Sequence, residues 1–170
     1  MEGDTMLKRL IEGNRRYVQT ADAALRTRLA TEGQRPYAVV ITCSDSRVVP
    51  EFLFDAAPGD LFVIRVAGNV LDDQQLGSIQ YAVEHLGCQL VVMLGHTGCG
   101  AVGVALEGHA HAYICSITDG IIKAIGAEKD PDRAGRLNVL CGVDRIREAL
   151  PGADVRGAMF DIRSGAVEWL

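Results

Sequence analysis

Apolar residues recur at helical spacing near the amino end of the chain and then gather into short unbroken runs. Leu7, Leu10, Ile11 and Tyr17 form one stripe, which predicts an amphipathic helix over residues 5–19. A polar connector follows over 20–36, with room for a short second helical turn. The runs AVVITC (38–43), LFVIRV (61–66) and QLVVML (89–94) are continuously apolar, as strands are when both faces of a parallel sheet are covered. Between them the pattern predicts a helix over 49–56, opened by Pro50 in its first turn and closed by Pro58-Gly59. A second runs over 74–86 and stops at Gly87. Further helices are expected over 112–126 and 138–150, the latter ended by Pro151-Gly152. Residues 155–162, the Ser164-Gly165 turn and 166–170 read as a terminal strand and hairpin. Strands alternating with helices define an α/β class, with a mainly parallel central sheet in the order 2-1-3-4 and helices on its flanks.

Composition narrows the partners. At 170 residues the chain is expected to form one domain over 1–170, and 48% hydrophobic content is enough for a buried core. A formal charge of −5 argues against nucleic acid or an anionic membrane as partner. No run approaches the ~18 apolar residues that span a bilayer, and the charged first helix lacks the hydrophobic region of a signal peptide. Five cysteines are an odd number without framework spacing, so thiols and metal ligands are expected rather than disulfides, and the cytoplasm as location.

The chemistry concentrates in two segments, Cys43-Ser-Asp45-Ser-Arg47 and His96-Thr-Gly-Cys99. Each sits where an apolar run ends, at the carboxyl ends of strands one and three. In an open sheet of this order those ends flank the switch point, where ligands bind. Two thiols, an imidazole and a carboxylate make a donor set that suits zinc. The fourth position is open between Asp45, which would close the shell as in a structural site, and water. Arg47 could hold Asp45 by a paired hydrogen bond, leaving that position to water made nucleophilic at neutral pH by the ion. Asp45 would then orient the resulting hydroxide. Cys88, Cys115 and Cys141 lack ligand spacing and are assigned to packing. The string Gly98-Cys-Gly100-Ala-Val-Gly103 has the form of a dinucleotide fingerprint. It follows the third strand rather than the first, however, and its turn already carries His96 and Cys99.

CSDSR, GDLFVIRVAGN, GSIQYAVEHLG and GHTGCGAV, in this order and spacing, resemble the β-class carbonic anhydrases. The resemblance runs from EGNRRYV in the first helix to the terminal FDIRSGAVEWL. It implies one zinc per chain held by Cys43, His96 and Cys99, with Asp45 as fourth ligand in a closed state, and an Asp45–Arg47 catalytic dyad. It also implies that Gln34, Phe62, Tyr81 and Gly100 line a substrate cleft built by two chains, with the N-terminal helix packed on a partner subunit in a homodimer or tetramer. The allosteric subgroup has a tryptophan where this chain has Val40, so its bicarbonate pocket is not expected despite the matching Arg65. His109 and His111 read as solvated loop residues.

The expected activity is therefore zinc-dependent, reversible hydration of carbon dioxide to bicarbonate and a proton. Two rivals remain at this point. One is a hydrolase of carbon disulfide or carbonyl sulfide on the same zinc site. The other is a non-enzymatic zinc protein in which Asp45 is a permanent ligand.

Overall fold

The computed structural model describes residues 2–170 and divides into two compact units, one ending at Gln34 and the other spanning Arg35–Leu170. The first unit is helical: α1 covers Glu2–Thr20 and α2 covers Ala23–Glu32. The connector expected over 20–36 is thus mostly a ten-residue helix. Its apolar residues make no stripe and none is buried, so periodicity was silent. Asp22 caps its amino end by accepting from the Leu25 N–H at 3.0 Å, and Gly33, at φ 77°, ends it. Arg26 folds back over the Tyr17 ring at 5.6 Å from its centroid. Along α1 the side chains of Met6, Leu7, Leu10, Ile11, Tyr17 and Val18 stay exposed.

The second unit is a five-stranded sheet: β1 (Ala38–Thr42), β2 (Leu61–Arg65), β3 (Leu90–His96), β4 (Asp154–Phe160) and β5 (Val167–Trp169). Their order is β2-β1-β3-β4-β5, parallel except for the terminal β4–β5 hairpin. The expected order 2-1-3-4 is therefore observed, extended by the antiparallel edge strand. Alternation along the strands builds two cores. On one face Val39, Ile41, Val91, Met93, Val155 and Met159 meet Ile79 and Ala82 of α4 (Asp73–His85) and Val139, Val143 and Ile146 of α7 (Pro131–Ala149). On the other, Val40, Val92, Leu94, Ala158 and Phe160 close on Val48, behind α3 (Pro50–Leu53). Each fully buried side chain of this size contributes about 1.5–3 kcal/mol. A third cluster joins Val102 and Ala105 of α5 (Gly100–Glu107), Ile121 and Ile125 of α6 (Cys115–Ile125) and Ala134 of α7.

Several boundaries differ from the sequence pattern. The helix expected over 49–56 stops at Leu53, because the chain turns out through Asp55 at φ 49°. The helix expected over 138–150 begins at Pro131, since Asp130 accepts from the Arg133 N–H at 2.9 Å and Pro131 supplies a ready first turn. The stretch expected as helix over 112–126 opens as a 3-10 turn over Ala112–Ile114 before α6. Cys88 is buried and Cys115 partly so, but Cys141 is exposed on α7 rather than packed in the core. Gly95 matters for the site. A Cβ there would lie 2.5 Å from Val139 Cγ2 and 2.7 Å from Met159 Sδ, so a side chain would push α7 off the sheet one residue before His96. Among the described residues no helix is long and apolar enough to cross a membrane.

Candidate metal centre

Cys43 is the first residue after β1 and His96 the last of β3, so neighbouring parallel strands deliver both to the same end of the sheet. Cys99 caps α5 three residues later, after a turn in which Gly98 takes φ 64°. The result is a cluster in which Cys43 Sγ, Cys99 Sγ and a His96 ring nitrogen all lie within 4.8 Å of one another. The two sulfurs are 4.0 Å apart. Bonds of about 2.3 Å to sulfur and 2.0 Å to nitrogen place such donors within reach of one ion. His96 is 2% exposed, and its Nδ1 lies 3.0 Å from the Thr97 carbonyl. That carbonyl can only accept, so Nδ1 carries the proton and Nε2 presents its lone pair. Nε2 is buried with no hydrogen-bond partner, a cost that a metal ion at this position removes. The donor set therefore fits a soft divalent cation such as zinc.

Without an ion, the cluster shares its protons unevenly. The Cys43 thiol is pulled down to about 4, chiefly by the hydrogen bond from Cys99, with His96 and the Gly68 N–H adding to it against the cost of burial. Cys99 is pushed up because its proton is shared with Cys43 and it is buried. The pair thus holds one proton between two sulfurs and offers one ready thiolate. Burial alone would lower His96, but Cys43, the Thr97 carbonyl and Asp45 together carry it upward.

Asp45 and Arg47 form a closed pair beside the cluster. Asp45 Oδ1 accepts from the Arg47 backbone N–H and from Nε, both at 2.9 Å, and Oδ2 accepts from a terminal guanidinium nitrogen at 2.7 Å. Oδ2 stops 4.0 Å from His96 Nε2. The Arg47 fork holds the Asp45 carboxyl below the usual carboxylate range, outweighing the opposing effect of burial. Arg47 and Thr97 also border an open cleft of ≈ 480 Å³ with Gly98, Asp132, Asp161 and Arg163.

The other expected residues are distributed differently. Gly100 is the first residue of α5, directly after Cys99. Phe62 is near the amino end of β2, in register with Val39, about 10 Å along the strand from the end that carries Cys43. Its ring pairs with Tyr81 at 6.3 Å, and Tyr81 in turn approaches His85 at 5.3 Å. Gln34 belongs to the N-terminal unit and is exposed. His109 and His111 are exposed as expected.

Residues outside the motifs hold the ligand loop. Arg65 donates from Nε to the Cys43 carbonyl at 3.2 Å and from a terminal nitrogen to the Asp45 carbonyl at 2.6 Å. The residue that the sequence resemblance matched to a bicarbonate-pocket arginine is here bonded to the loop backbone. The Thr97 hydroxyl accepts from the Ile162 N–H at 3.2 Å and ties the His96 turn to the end of β4.

Two thiols and an imidazole able to hold one metal ion, at the switch point of a parallel sheet with an arginine-locked carboxylate beside them, are the class of site that fold and geometry define. Residues 38–167 match the family model described as carbonic anhydrase. The chain belongs to the carbonic anhydrase family, in its β class. It is 50% identical over 107 residues to carbonic anhydrase 2 of Mycobacterium tuberculosis, a match that covers 58% of this chain and 50% of that protein. The chain thus spans about half the length of the curated relatives it matches. Among solved structures, the β-carbonic anhydrase CafA of Aspergillus fumigatus superimposes with a TM-score of 0.82 at 28% identity, covering 100% of this chain and 91% of that one. A structure from the work on two tetrameric β-carbonic anhydrases of Sordaria macrospora gives 0.75 at 28% identity, covering 99% and 95%.

Proposed function

We propose that this protein catalyses the reversible hydration of carbon dioxide to bicarbonate and a proton, with one zinc ion per chain held by Cys43, His96 and Cys99. The observation that carries the reading is the bidentate Arg47–Asp45 pair standing beside a cluster of three soft donors. When bound, the ion supplies a Lewis acid that makes water nucleophilic near neutral pH. Asp45 accepts the nucleophile's hydrogen bond and so turns its lone pair toward the substrate carbon. Arg47 keeps Asp45 ionised and turned to one side, which argues against a permanent fourth ligand and so against a purely structural zinc protein. Because its carboxyl is held so acidic, Asp45 orients the nucleophile and does not take its proton. His96 is kept in one tautomer by the Thr97 carbonyl. Gly100, without a side chain, lets backbone approach the substrate at the start of α5.

Gln34, Phe62 and Tyr81 would complete the cleft from a second copy of the chain, which gives a homodimer or tetramer as the working unit. The exposed apolar side of α1 supports this, as does the tetrameric state named for the Sordaria macrospora relatives. On this reading the N-terminal helix packs on the partner subunit and residues 1–170 act as one carbonic anhydrase domain. Free thiols, as the cytoplasm maintains, support location there.

Zinc-loaded protein assayed in parallel on carbon dioxide, carbon disulfide and carbonyl sulfide tests the activity. Hydration of carbon dioxide that is lost with the metal is the expected result. Turnover of a sulfur analogue without hydration would transfer the protein to the hydrolase reading, and no turnover at full zinc would leave a structural metal site. Sedimentation at micromolar concentration tests the assembly, and a fully active monomer would overturn the shared cleft.

A further inference from the structure

Along the inward face of α7 the buried residues are Ala134, Gly135, Asn138, Val139, Gly142, Val143 and Ile146. Asn138 is the polar exception, and it is 6% exposed. An amide placed there loses its water and must recover a specific hydrogen bond. It does so across 70 positions of sequence, donating from Nδ2 to the Gly68 carbonyl at 2.8 Å. Since a carbonyl only accepts, this contact also fixes which way the Asn138 amide faces.

Gly68 lies in the 3-10 turn Ala67–Asn69, directly after β2, with φ 68° and ψ 14°. In this left-handed conformation its N–H donates to Cys43 Sγ at 3.3 Å. The position admits no side chain, since a Cβ would come within 2.8 Å of Ile121 Cδ1 and 3.0 Å of Ala101 Cβ. The carbonyl held by Asn138 and the N–H given to Cys43 flank the same Cα. The two groups lie on adjacent peptide planes, and with φ 68° and ψ 14° held in the close packing of Ile121 and Ala101, anchoring the carbonyl sets the direction of the N–H.

We propose that Asn138 is a positioning residue for the metal site: through the Gly68 carbonyl it aims the Gly68 N–H at the Cys43 sulfur. An N–H donor on a ligand sulfur disperses its charge and fixes the direction of the lone pairs left for the ion. This rests on the reading of Cys43 as a ligand. It reaches further, because it assigns a role in metal retention to a helix that carries no ligand.

The test compares zinc affinity by chelator competition and the thiolate-to-metal charge-transfer band of the cobalt-substituted protein. Asn138→Ala removes the donor, and Asn138→Leu removes it with a side chain of similar size. Both are expected to weaken zinc binding about 10–100-fold, the usual effect of losing a group that supports a ligand, and to shift the cobalt band. Val139→Ala, the next residue and fully buried, should lower thermal stability while leaving affinity and band as in the parent. If Asn138→Ala does not fold, Asn138→Leu decides on the same two signals. Wild-type affinity and band in the Asn138 variants would overturn the proposal, as would an equal loss of affinity in Val139→Ala. A parent chain that held no zinc, or a Cys43→Ser chain that kept it, would instead sink the ligand assignment beneath it.

Discussion

Cys43→Ser and Cys99→Ser proteins are expected to lose their zinc. A serine hydroxyl does not ionise near neutral pH, so each change replaces a thiolate donor with a weak neutral oxygen in a site that offers three protein ligands. For Cys43 the loss is compounded. The Gly68 N–H that now donates to its sulfur would be left facing a poorer acceptor. Zinc affinity should fall by orders of magnitude in both variants. Metal analysis after dialysis against a chelator checks this, and a full equivalent retained by either protein would remove that cysteine from the ligand set. Cys88→Ser, altered at a buried cysteine away from the cluster, is the control that should keep its metal.

Asp45→Asn should separate catalysis from metal binding. The substitution preserves shape but removes the charge that pairs with Arg47 through two contacts of 2.9 and 2.7 Å. It also puts an amide donor where an acceptor is needed, in one orientation or the other. Hydration should fall about 10²–10³-fold, the scale seen when one group oriented at a transition state is removed. Zinc should stay at one equivalent, since Cys43, His96 and Cys99 are untouched. Wild-type turnover at full zinc would take Asp45 out of the mechanism. Loss of zinc together with activity would show it to be a ligand rather than an orienting group.

Those two expectations come from motifs that were legible in the chain, and their legibility has a physical cause. Cys43 and His96 terminate apolar runs, and a strand buried on both faces must end where polar residues begin. The ends of β1 and β3 are therefore written in hydropathy alone, and their adjacency follows from the order of a parallel sheet. Helix boundaries were less legible. Periodicity sees only a helix with an apolar stripe, so it left α2 as room for a short turn, since that helix has no stripe and is set by Asp22 and Gly33. It also caught α7 late, because that helix begins at a cap and a proline rather than at an apolar residue.

What the sequence determined by itself is the set of local instructions: which runs become strands, where they stop, and which donors stand at their ends. The tertiary structure decided which distant groups support those donors. Nothing local marks Arg65 as the residue that holds the Cys43 and Asp45 carbonyls, or Asn138 as a partner for Gly68. Each satisfies a backbone group far away in sequence, and such a pairing exists only once strands and helices have packed. The tautomer of His96 is likewise decided by a bend at Thr97 that is pinned to the end of β4. Short-range chemistry is encoded where it acts, whereas the hydrogen bonds that orient it depend on long-range packing.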